Sequence, residues 1–382
     1  MKIDTEALLT TLAELVAIPS INPAYPGGVP EEAVAQYVER FFAERGIGTF
    51  RQTALPGRDN VIARLPGREA NRRVILEAHM DTVSVDGMTI PPFTPTREGD
   101  RLYGRGSCDT KAGLAGMMHA VAAIAASGQT PRAEVWLAAV VDEEATFYGV
   151  NRLCEGLWAQ AAIVAEPTEM RLISASKGVL RGKLRTHGRA AHSAKPHLGI
   201  NAIEHMAHAI RVLAEENQRT MAARVHPLLG PATLNVGTIQ GGEQVNFVPD
   251  RCEIALDRRL LPGEDPANVW QGYAALLEPL RAQIPGFDFT LEPPAIADAA
   301  LETARESEAV QVAQSVLRGL GYDATPAGVP FGSDASKLSR QGVPSLIFGP
   351  GSIDRAHAAI EYVECSQVAQ AAEFYRQFLE QF

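Results

Sequence analysis

Four apolar runs in the sequence end in side chains that can bind metal ions or move protons. These side chains are His79 and Asp81 after VILEA, Glu143 and Glu144 after VWLAAVV, Glu166 after AIVA, and His357 after SLIF and a glycine-rich loop. In open α/β sheets, ligands collect beyond the carboxyl ends of the strands. We therefore expect these imidazoles and carboxylates to meet at one edge of a sheet.

Imidazoles and carboxylates together form a ligand set that suits Zn²⁺, Co²⁺ or Mn²⁺, and not Cu⁺ or an iron–sulfur cluster. In His79-x-Asp81 the acid can accept the second ring N–H of the histidine and so fix its tautomer. The Glu143-Glu144 pair offers one carboxylate to a metal and leaves the other as a general base. Two metals that share a bridging carboxylate such as Asp109 would activate a water and polarise a carbonyl. This is the chemistry of amide or ester hydrolysis.

Each of these residues also has an ordinary structural explanation. A histidine after a strand is usually solvated or packed in the core, and acidic residues are common where a helix begins. Glu166 precedes a proline, as in many surface turns, and Asp109 precedes a predicted helix, as an N-cap does. Taken together the ordinary explanations are weaker, because four separate runs would have to end in ligand-type residues by chance. The pattern therefore favours a metal centre.

The elements around these residues alternate between helical and strand-like patterns. Helical periodicity is clear in 4–18, 31–44 and 112–126, and strand-like runs occupy 60–64, 73–78, 134–141 and 162–165. Three of these runs are almost continuously apolar, as expected for strands that are covered on both faces. The fold class predicted is therefore α/β, with a mainly parallel sheet flanked by helices.

A different pattern begins near Lys177 and continues to Pro293. Its strands alternate with period two, and the elements follow the order strand, helix, strand, strand, helix, strand. That order is typical of a ferredoxin-like split βαβ unit. We predict one catalytic domain made of residues 1–176 and 294–382, interrupted by an inserted α+β domain of residues 177–293.

Composition excludes several classes of function. The 382 residues include 35 Lys+Arg and 45 Asp+Glu, for a formal net charge of −10, which argues against a nucleic-acid partner. The four cysteines show no CxxC spacing and the N-terminal segment has no secretory pattern, so a cytoplasmic location is predicted. The uncharged stretch 112–131 is too weakly apolar to cross a membrane, and we expect a helix buried in a globular domain.

Eight segments of the sequence together resemble one enzyme family. They are, in chain order, HMDTV, GRGSCDTKAG, DEEATFYGV, AEPTE, GRAAHSAKPHLGINAI, NFVPD, RRLLPGED and GPGSIDRAHAAIEYVE. The chain resembles the dinuclear zinc metallopeptidases and deacylases that include acetylornithine deacetylase, succinyl-diaminopimelate desuccinylase, glutamate carboxypeptidase and the aminoacylases. The resemblance extends from IPSINP to Glu361 and so covers nearly the whole chain.

The resemblance implies a role for each matching metal-site residue. His79 and Glu166 would hold one metal, Glu144 and His357 the other, and Asp109 would bridge the two, with a cis peptide before Thr110. The metals would be two divalent ions, zinc first, with cobalt or manganese as substitutes. By the same resemblance Asp81 would support His79. Glu143 would act as the general base, taking a proton from water and passing it to the leaving amine.

The resemblance also implies roles for the inserted domain and for substrate binding. The inserted domain would form a homodimer and close over the site, and its His192 would reach the partner subunit's site and stabilise the oxyanion. Asn246 and Arg259 match positions that contact the substrate, often its carboxylate. The segment around Ser333 looks like a further substrate loop.

Other functions remain open from the residues alone. A thiol hydrolase would use Cys108 near a predicted helix N-terminus, with His79 or His119 as its base. Gly104-x-Gly106 suggests a nucleotide site, but no full phosphate-binding motif follows. A relative that kept the fold without catalysis is a third possibility. Among hydrolases we predict an N-acyl amino acid deacylase, with a dipeptidase or carboxypeptidase as the alternative, acting on a small substrate that carries a carboxylate.

Overall fold

The computed structural model describes residues 3–382, so the first two residues of the predicted catalytic domain lie outside the described residues. The chain forms two compact units. The first comprises the described residues up to Ser174, together with Glu302–Ala327 and Ser333–Phe382. The second comprises Ala175–Leu301 and Gly328–Gly332. The predicted insertion, 177–293, falls inside the longer segment of the second unit, whereas Gly328–Gly332 belongs to a stretch that we assigned to the catalytic domain.

Helices and strands alternate along most of the chain. The N-terminal part of the chain contains α1 Thr5–Ala17, α2 Glu32–Ala43, β1 Gly48–Leu55, β2 Arg58–Leu65, β3 Arg73–His79, β4 Thr96–Glu98, β5 Arg101–Tyr103, α3 Lys111–Ala126, β6 Glu134–Val140, α4 Tyr148–Cys154, β7 Ala161–Val164 and β8 Ile173–Ser176. Next come β9 Gly178–His187, β10 Ala191–His192, a 3₁₀ turn Pro196–Leu198, α5 Ala202–Ala223, β11 Val225–His226, β12 Gly230–Pro231, β13 Thr233–Gly241, β14 Phe247–Val248, β15 Arg251–Leu260, α6 Pro266–Leu277, α7 Leu280–Gln283, β16 Asp288–Leu291 and β17 Ile296–Asp298. The chain ends with β18 Leu301–Glu302, α8 Glu308–Gly319, β19 Ala327–Val329, α9 Ala335–Arg340, β20 Ser345–Ile347, β21 Tyr362–Glu364 and α10 Cys365–Gln381.

The main sheet of the first unit has the strand order β1-β2-β6-β3-β7-β20-β8-β18, with β19 paired to β8. Its central strands β6, β3, β7 and β20 are parallel to one another. The strands on either side, β1–β2 and β8, pair antiparallel. The predicted α/β fold with a mainly parallel sheet is therefore confirmed at the centre of the sheet. β1 and β2 pair antiparallel because the tight turn that joins them allows only a hairpin.

Helices cover the main sheet and complete the core of the first unit. Apolar side chains of α1, such as Leu8, Leu12 and Leu15, are fully buried, as are Phe374 and Phe378 of α10. The uncharged stretch predicted to be a buried helix forms α3, whose side chains are mostly buried. Among the described residues, no helix is long and apolar enough to cross a membrane.

The second unit is an antiparallel sheet with two main helices. Its strand order is β13-β15-β9-β16, with β17 also paired to β9. Along β9 and β15 exposed and buried residues alternate, because a strand with one covered face turns every second side chain inward. The inward side chains Leu184 and Ile254 belong to one core with Met206 of α5 and Trp270 of α6. The order β9, α5, β13, β15, α6, β16 is that of a ferredoxin-like unit.

Candidate metal centre

The order of strands in the main sheet explains why the acidic and imidazole side chains meet. β3 lies between β6 and β7 and is parallel to both. The carboxyl ends of the three strands therefore face the same way. His79 is the last residue of β3, Glu143 and Glu144 follow β6, and Glu166 follows β7.

Asp109 is the residue around which the site is organised. Its Oδ1 lies 3.1 Å from Nε2 of His79, and its Oδ2 lies 3.2 Å from Nε2 of His357. The same Nε2 of His357 lies 3.1 Å from Oε1 of Glu144. Ligand atoms of His79, Asp109 and Glu144 all fall within 4.8 Å of one another. One carboxylate thus presents one oxygen to each of two imidazoles.

The remaining two carboxylates, Glu143 and Glu166, interact with this group electrostatically. Burial raises the pKa of Glu166 well above its usual range, and the charge of Asp109 adds to that effect. Burial likewise raises the pKa of Glu143 well above its usual range, and here the charge of Glu166 contributes. The predicted ligands and the predicted base therefore lie close enough to affect one another's ionisation.

The neighbouring carboxylates raise the pKa of both imidazoles. Burial disfavours a positive charge on His357, but hydrogen bonds to Asp109 and Glu144 outweigh this and raise its pKa to about 10. His79 behaves in the same way, and its pKa lies well above its usual value. Burial alone would raise the pKa of Asp109, yet the bonds to His357 and His79 lower it below its usual value.

This arrangement fits a divalent metal site. Asp109, Glu143, Glu144 and Glu166 crowd together, and like charges that are buried side by side are unfavourable unless a cation offsets them. Burial is the main cause of the raised pKa values of the three glutamates, and the charges of neighbouring carboxylates add to it. Imidazole nitrogens and carboxylate oxygens are the ligands that zinc, cobalt and manganese accept.

Asp81 contacts both His79 and the loop that carries the two glutamates. Nδ1 of His79 lies 2.9 Å from the backbone carbonyl oxygen of Asp81 and 3.6 Å from its Oδ1. The Asp81 carboxylate accepts the backbone N–H groups of Glu143 and Glu144, each at 3.1 Å, and the side-chain amide of Asn22 at 2.7 Å. Asp81 thus contacts His79 and also fixes the backbone of the two glutamates, and its support of the histidine tautomer stays a prediction.

Glu361 has a role in the site that sequence reasoning missed. Its Oε1 accepts the backbone N–H groups of Cys108, at 2.9 Å, and Asp109, at 3.1 Å. Its Oε2 accepts Nη1 of Arg105 at 2.6 Å, and both side chains are almost completely buried. Glu361 therefore holds the backbone just before the Asp109–Thr110 peptide, which is cis as the resemblance implies. In the sequence, the only indication of this role was that Glu361 is an acidic residue four positions after the predicted ligand His357.

The second unit brings two of the predicted residues together. β10 and β14 form a short ladder in which His192 pairs with Phe247, and the backbone N–H of Ser193 donates to the carbonyl of Asn246 at 2.9 Å. Both His192 and Asn246 are exposed. Arg259 lies on β15, where its Nε donates to Asp257 at 2.8 Å.

Ser333, predicted to contact substrate, is fully buried. Its Oγ accepts the backbone N–H of Ala335 at 3.4 Å, and its carbonyl oxygen accepts Nζ of Lys337 at 3.1 Å. These contacts stabilise the first turn of α9. The substrate contact of Ser333, which rests on a loose match of a glycine-serine-aspartate loop, stays a prediction.

The geometry does not support a thiol hydrolase. Cys108 is buried, its Sγ donates to the carbonyl of Ser352 at 3.4 Å, and burial raises the pKa of the thiol well above its usual value. The second candidate base, His119, hydrogen-bonds to Thr11 at 2.9 Å and packs on Phe41. A thiol of raised pKa is a poor nucleophile.

Residues 75–381 match the model of Peptidase family M20/M25/M40. The chain belongs to this family. It is 30% identical over 378 residues to an acetylornithine deacetylase from Myxococcus xanthus, across 94% of this chain and 92% of that protein. The predicted family and the predicted class, a metal-dependent hydrolase of amide bonds, are confirmed at this level.

Solved structures share the fold along the whole chain. A tripeptidase from Staphylococcus aureus superposes with a TM-score of 0.81 at 22% identity, covering 100% of this chain and 99% of that one. A dinuclear metal-binding peptidase of the M20 family from Bacillus subtilis superposes with a TM-score of 0.75 at 16% identity, covering 99% and 98%. At these identities the likeness establishes the fold.

Proposed function

We propose that the protein is a two-metal deacylase that removes the acyl group from a small N-acyl amino acid. The observation that carries this proposal is the Asp109 carboxylate, which presents one oxygen to His79 and the other to His357. A carboxylate in this position is suited to bridge two ions. The likeness to an acetylornithine deacetylase over almost the full length of both chains supports the choice of an N-acyl amino acid substrate.

Five residues would hold the two ions. His79 and Glu166 would bind one, Glu144 and His357 the other, and Asp109 both. We propose zinc as the metal, with cobalt or manganese as substitutes, because all three accept this mixture of nitrogen and oxygen ligands. When bound, the ions supply Lewis acidity that polarises the amide carbonyl and lowers the pKa of water.

Glu143 would move the proton during hydrolysis. Its carboxylate takes a proton from the attacking water and then delivers it to the nitrogen of the leaving amine. Burial, together with the charge of Glu166, raises the pKa of Glu143 well above its usual range, which suits a group that must hold a proton between two steps. The backbone N–H of Glu143 is bound to Asp81, so this residue is held in place without using its own carboxylate.

The second unit would supply substrate contacts and the dimer interface. We propose that His192 of one subunit donates to the oxyanion in the site of its partner, and that Asn246 and Arg259 bind the substrate carboxylate. Exposure of His192 and Asn246 side by side supports such a role. β13 lies at an end of its sheet and carries the exposed Ile239, so it offers an edge for pairing with a second copy. Measurement of the molar mass in solution would test this dimer.

A cytoplasmic location is also part of the proposal. All four cysteines are buried as free thiols, which is the usual state in a reducing compartment.

Substrate choice is tested by hydrolysis of a small panel. The panel would contain N-acetylornithine, N-succinyl-diaminopimelate, other N-acyl amino acids and dipeptides, each tried with metal-loaded and chelator-stripped protein. We expect metal-restored cleavage of N-acyl amino acids. Cleavage of the dipeptides alone would replace the deacylase by a dipeptidase or carboxypeptidase. Absence of both cleavage and metal binding would contradict the two-metal site itself.

A further inference from the structure

A buried cluster of three charged side chains holds the start of the loop that carries Glu143 and Glu144. Arg58, at the start of β2, donates from Nη1 to Oδ1 of Asp142 at 2.9 Å and from Nε to Oε2 of Glu31 at 2.8 Å. The Arg58 side chain is 11% exposed, and those of Glu31 and Asp142 are 1% and 3% exposed. One guanidinium therefore pairs with two carboxylates that have almost no access to water.

Asp142 needs these contacts because its backbone is strained. It adopts φ of 70°, in the left-handed region that side chains disfavour. Its backbone N–H donates to Glu31 at 3.2 Å, and its carboxylate also accepts from the hydroxyl of Thr146 and from the backbone N–H of Tyr148 at 3.3 Å. A residue persists in such a conformation only when its surroundings determine it.

Asn22 links this strained residue to the metal centre. Its Nδ2 donates to Oδ1 of Asp142 at 3.0 Å and to Oδ2 of Asp81 at 2.7 Å. Asp81 in turn accepts the backbone N–H groups of Glu143 and Glu144. The loop is thus held through Asp142 at its start and through Asp81 at the two residues that follow.

We propose that Arg58 is a positioning residue of the metal centre. Acting through Asp142, it sets the backbone that places Glu143 and Glu144. This role rests on the proposed function, in which Glu144 is a metal ligand and Glu143 is the base. Arg58 does not itself belong to the group of side chains that would touch metal or water.

Arg58→Met removes the guanidinium and leaves two buried carboxylates without their cation. The strained turn at Asp142 then relaxes, and both glutamates after it are displaced. We expect zinc affinity to fall about 10- to 100-fold and kcat to fall by a similar factor, as for other residues that orient metal ligands. KM should stay within about twofold, because Arg58 contacts none of the proposed substrate residues.

Arg73→Met is the matched control. Arg73 is 12% exposed and its Nε donates to Oε2 of Glu134 at 2.7 Å, so this variant also breaks a shielded arginine–glutamate pair. Arg73 begins β3 and His79 ends it, so the pair lies at the far end of that strand from the metal site. We therefore expect Arg73→Met to lower thermal stability, as Arg58→Met does. Its zinc affinity and kcat should stay near those of the wild type.

The experiment titrates zinc calorimetrically into chelator-stripped wild type and both variants. The visible spectrum of the cobalt-loaded proteins, kcat, KM and metal-free thermal unfolding complete the comparison. A changed cobalt spectrum and weakened zinc binding in Arg58→Met, but not in Arg73→Met, would establish the role. Equal losses in the two variants would overturn it.

Arg58→Lys keeps the experiment decisive if Arg58→Met does not fold. Lysine retains the charge but cannot bind Glu31 with two nitrogens while also reaching Asp142. We expect intermediate zinc affinity, and wild-type affinity together with wild-type kcat would overturn the role. If the wild-type protein binds no metal, the proposed function fails and this role fails with it. If the wild type binds metal and the Arg58 variants bind it equally well, only the role of Arg58 is overturned and the proposed function stands.

Discussion

At the scale of single residues, the buried glutamates of the metal centre differ in function because they differ in partners. Glu361 accepts two backbone N–H groups and one arginine, so its charge is fully used in holding the chain. Burial and the charge of Glu166 raise the pKa of Glu143. Its backbone N–H, and not its carboxylate, donates the hydrogen bond to Asp81 that holds this residue. The first is suited to structure, the second to proton transfer.

Glu143→Ala should separate catalysis from metal binding. We expect kcat to fall by about 10²- to 10⁴-fold, the usual contribution of a positioned acid or base. Metal content should remain that of the wild type, because the proposed ligands are other residues. Elemental analysis and steady-state kinetics measure the two quantities, and full activity in this variant would contradict the assignment of the base.

Glu361→Gln should destabilise the protein because it leaves the buried guanidinium of Arg105 without its counter-charge. Removing one partner of a buried pair typically costs about 3–5 kcal/mol. We expect a loss of this size in the free energy of unfolding, measured by urea denaturation, together with weaker metal binding as the backbone at Asp109 loosens. Glu364→Gln, three residues along the chain, is the control. A Glu361→Gln protein as stable as this control would refute the structural role.

At the scale of elements, the packing of α1 and α2 on α3 makes stability depend on pH. His119 of α3 lies between Thr11 of α1 and Phe41 of α2. Burial lowers its pKa to about 4, and the charge of Arg45 adds to that effect. In the unfolded chain an ordinary histidine titrates near 6.5, so between these values the unfolded state binds more protons than the folded state.

The contribution of His119 to stability is therefore complete above pH 6.5 and is lost as the pH falls from 6.5 toward 4. His119→Gln should remove this part of the acid sensitivity. Urea denaturation of the metal-free protein at several pH values measures it for both proteins. Parallel curves for the wild type and His119→Gln across that range would contradict the buried, neutral histidine.

The elements themselves were largely predictable, and the contacts among them were not. Apolar runs such as VILEA predicted buried strands, and the uncharged stretch predicted α3, because periodicity and propensity act over neighbouring residues. The antiparallel strands that flank the parallel centre were not predicted. The burial of Ser333 was not predicted either, since burial depends on what packs against a loop.

At the scale of the whole molecule, metal binding should add to the stability of the fold. Four carboxylates crowd the site, and a ligand that binds only the folded state stabilises it by mass action. At a free zinc concentration about 1,000 times the dissociation constant, the gain is about 4 kcal/mol. We expect thermal unfolding to move to higher temperature when zinc is restored to chelator-stripped protein. An unfolding temperature independent of zinc, cobalt and manganese would contradict a metal-binding site.

The sequence by itself determined the family, the class of reaction and the set of candidate ligands. Each follows from short motifs that can be read one at a time along the chain, such as His79-x-Asp81 and Glu143-Glu144 next to their strands. Only the tertiary structure decided how these residues are supported. Arg58, Asp142 and Asn22 meet across long stretches of chain, and Glu361 reaches Asp109 in the same way. Burial turns such ordinary polar residues into fixed partners, because a charge removed from water must find another charge or a hydrogen bond.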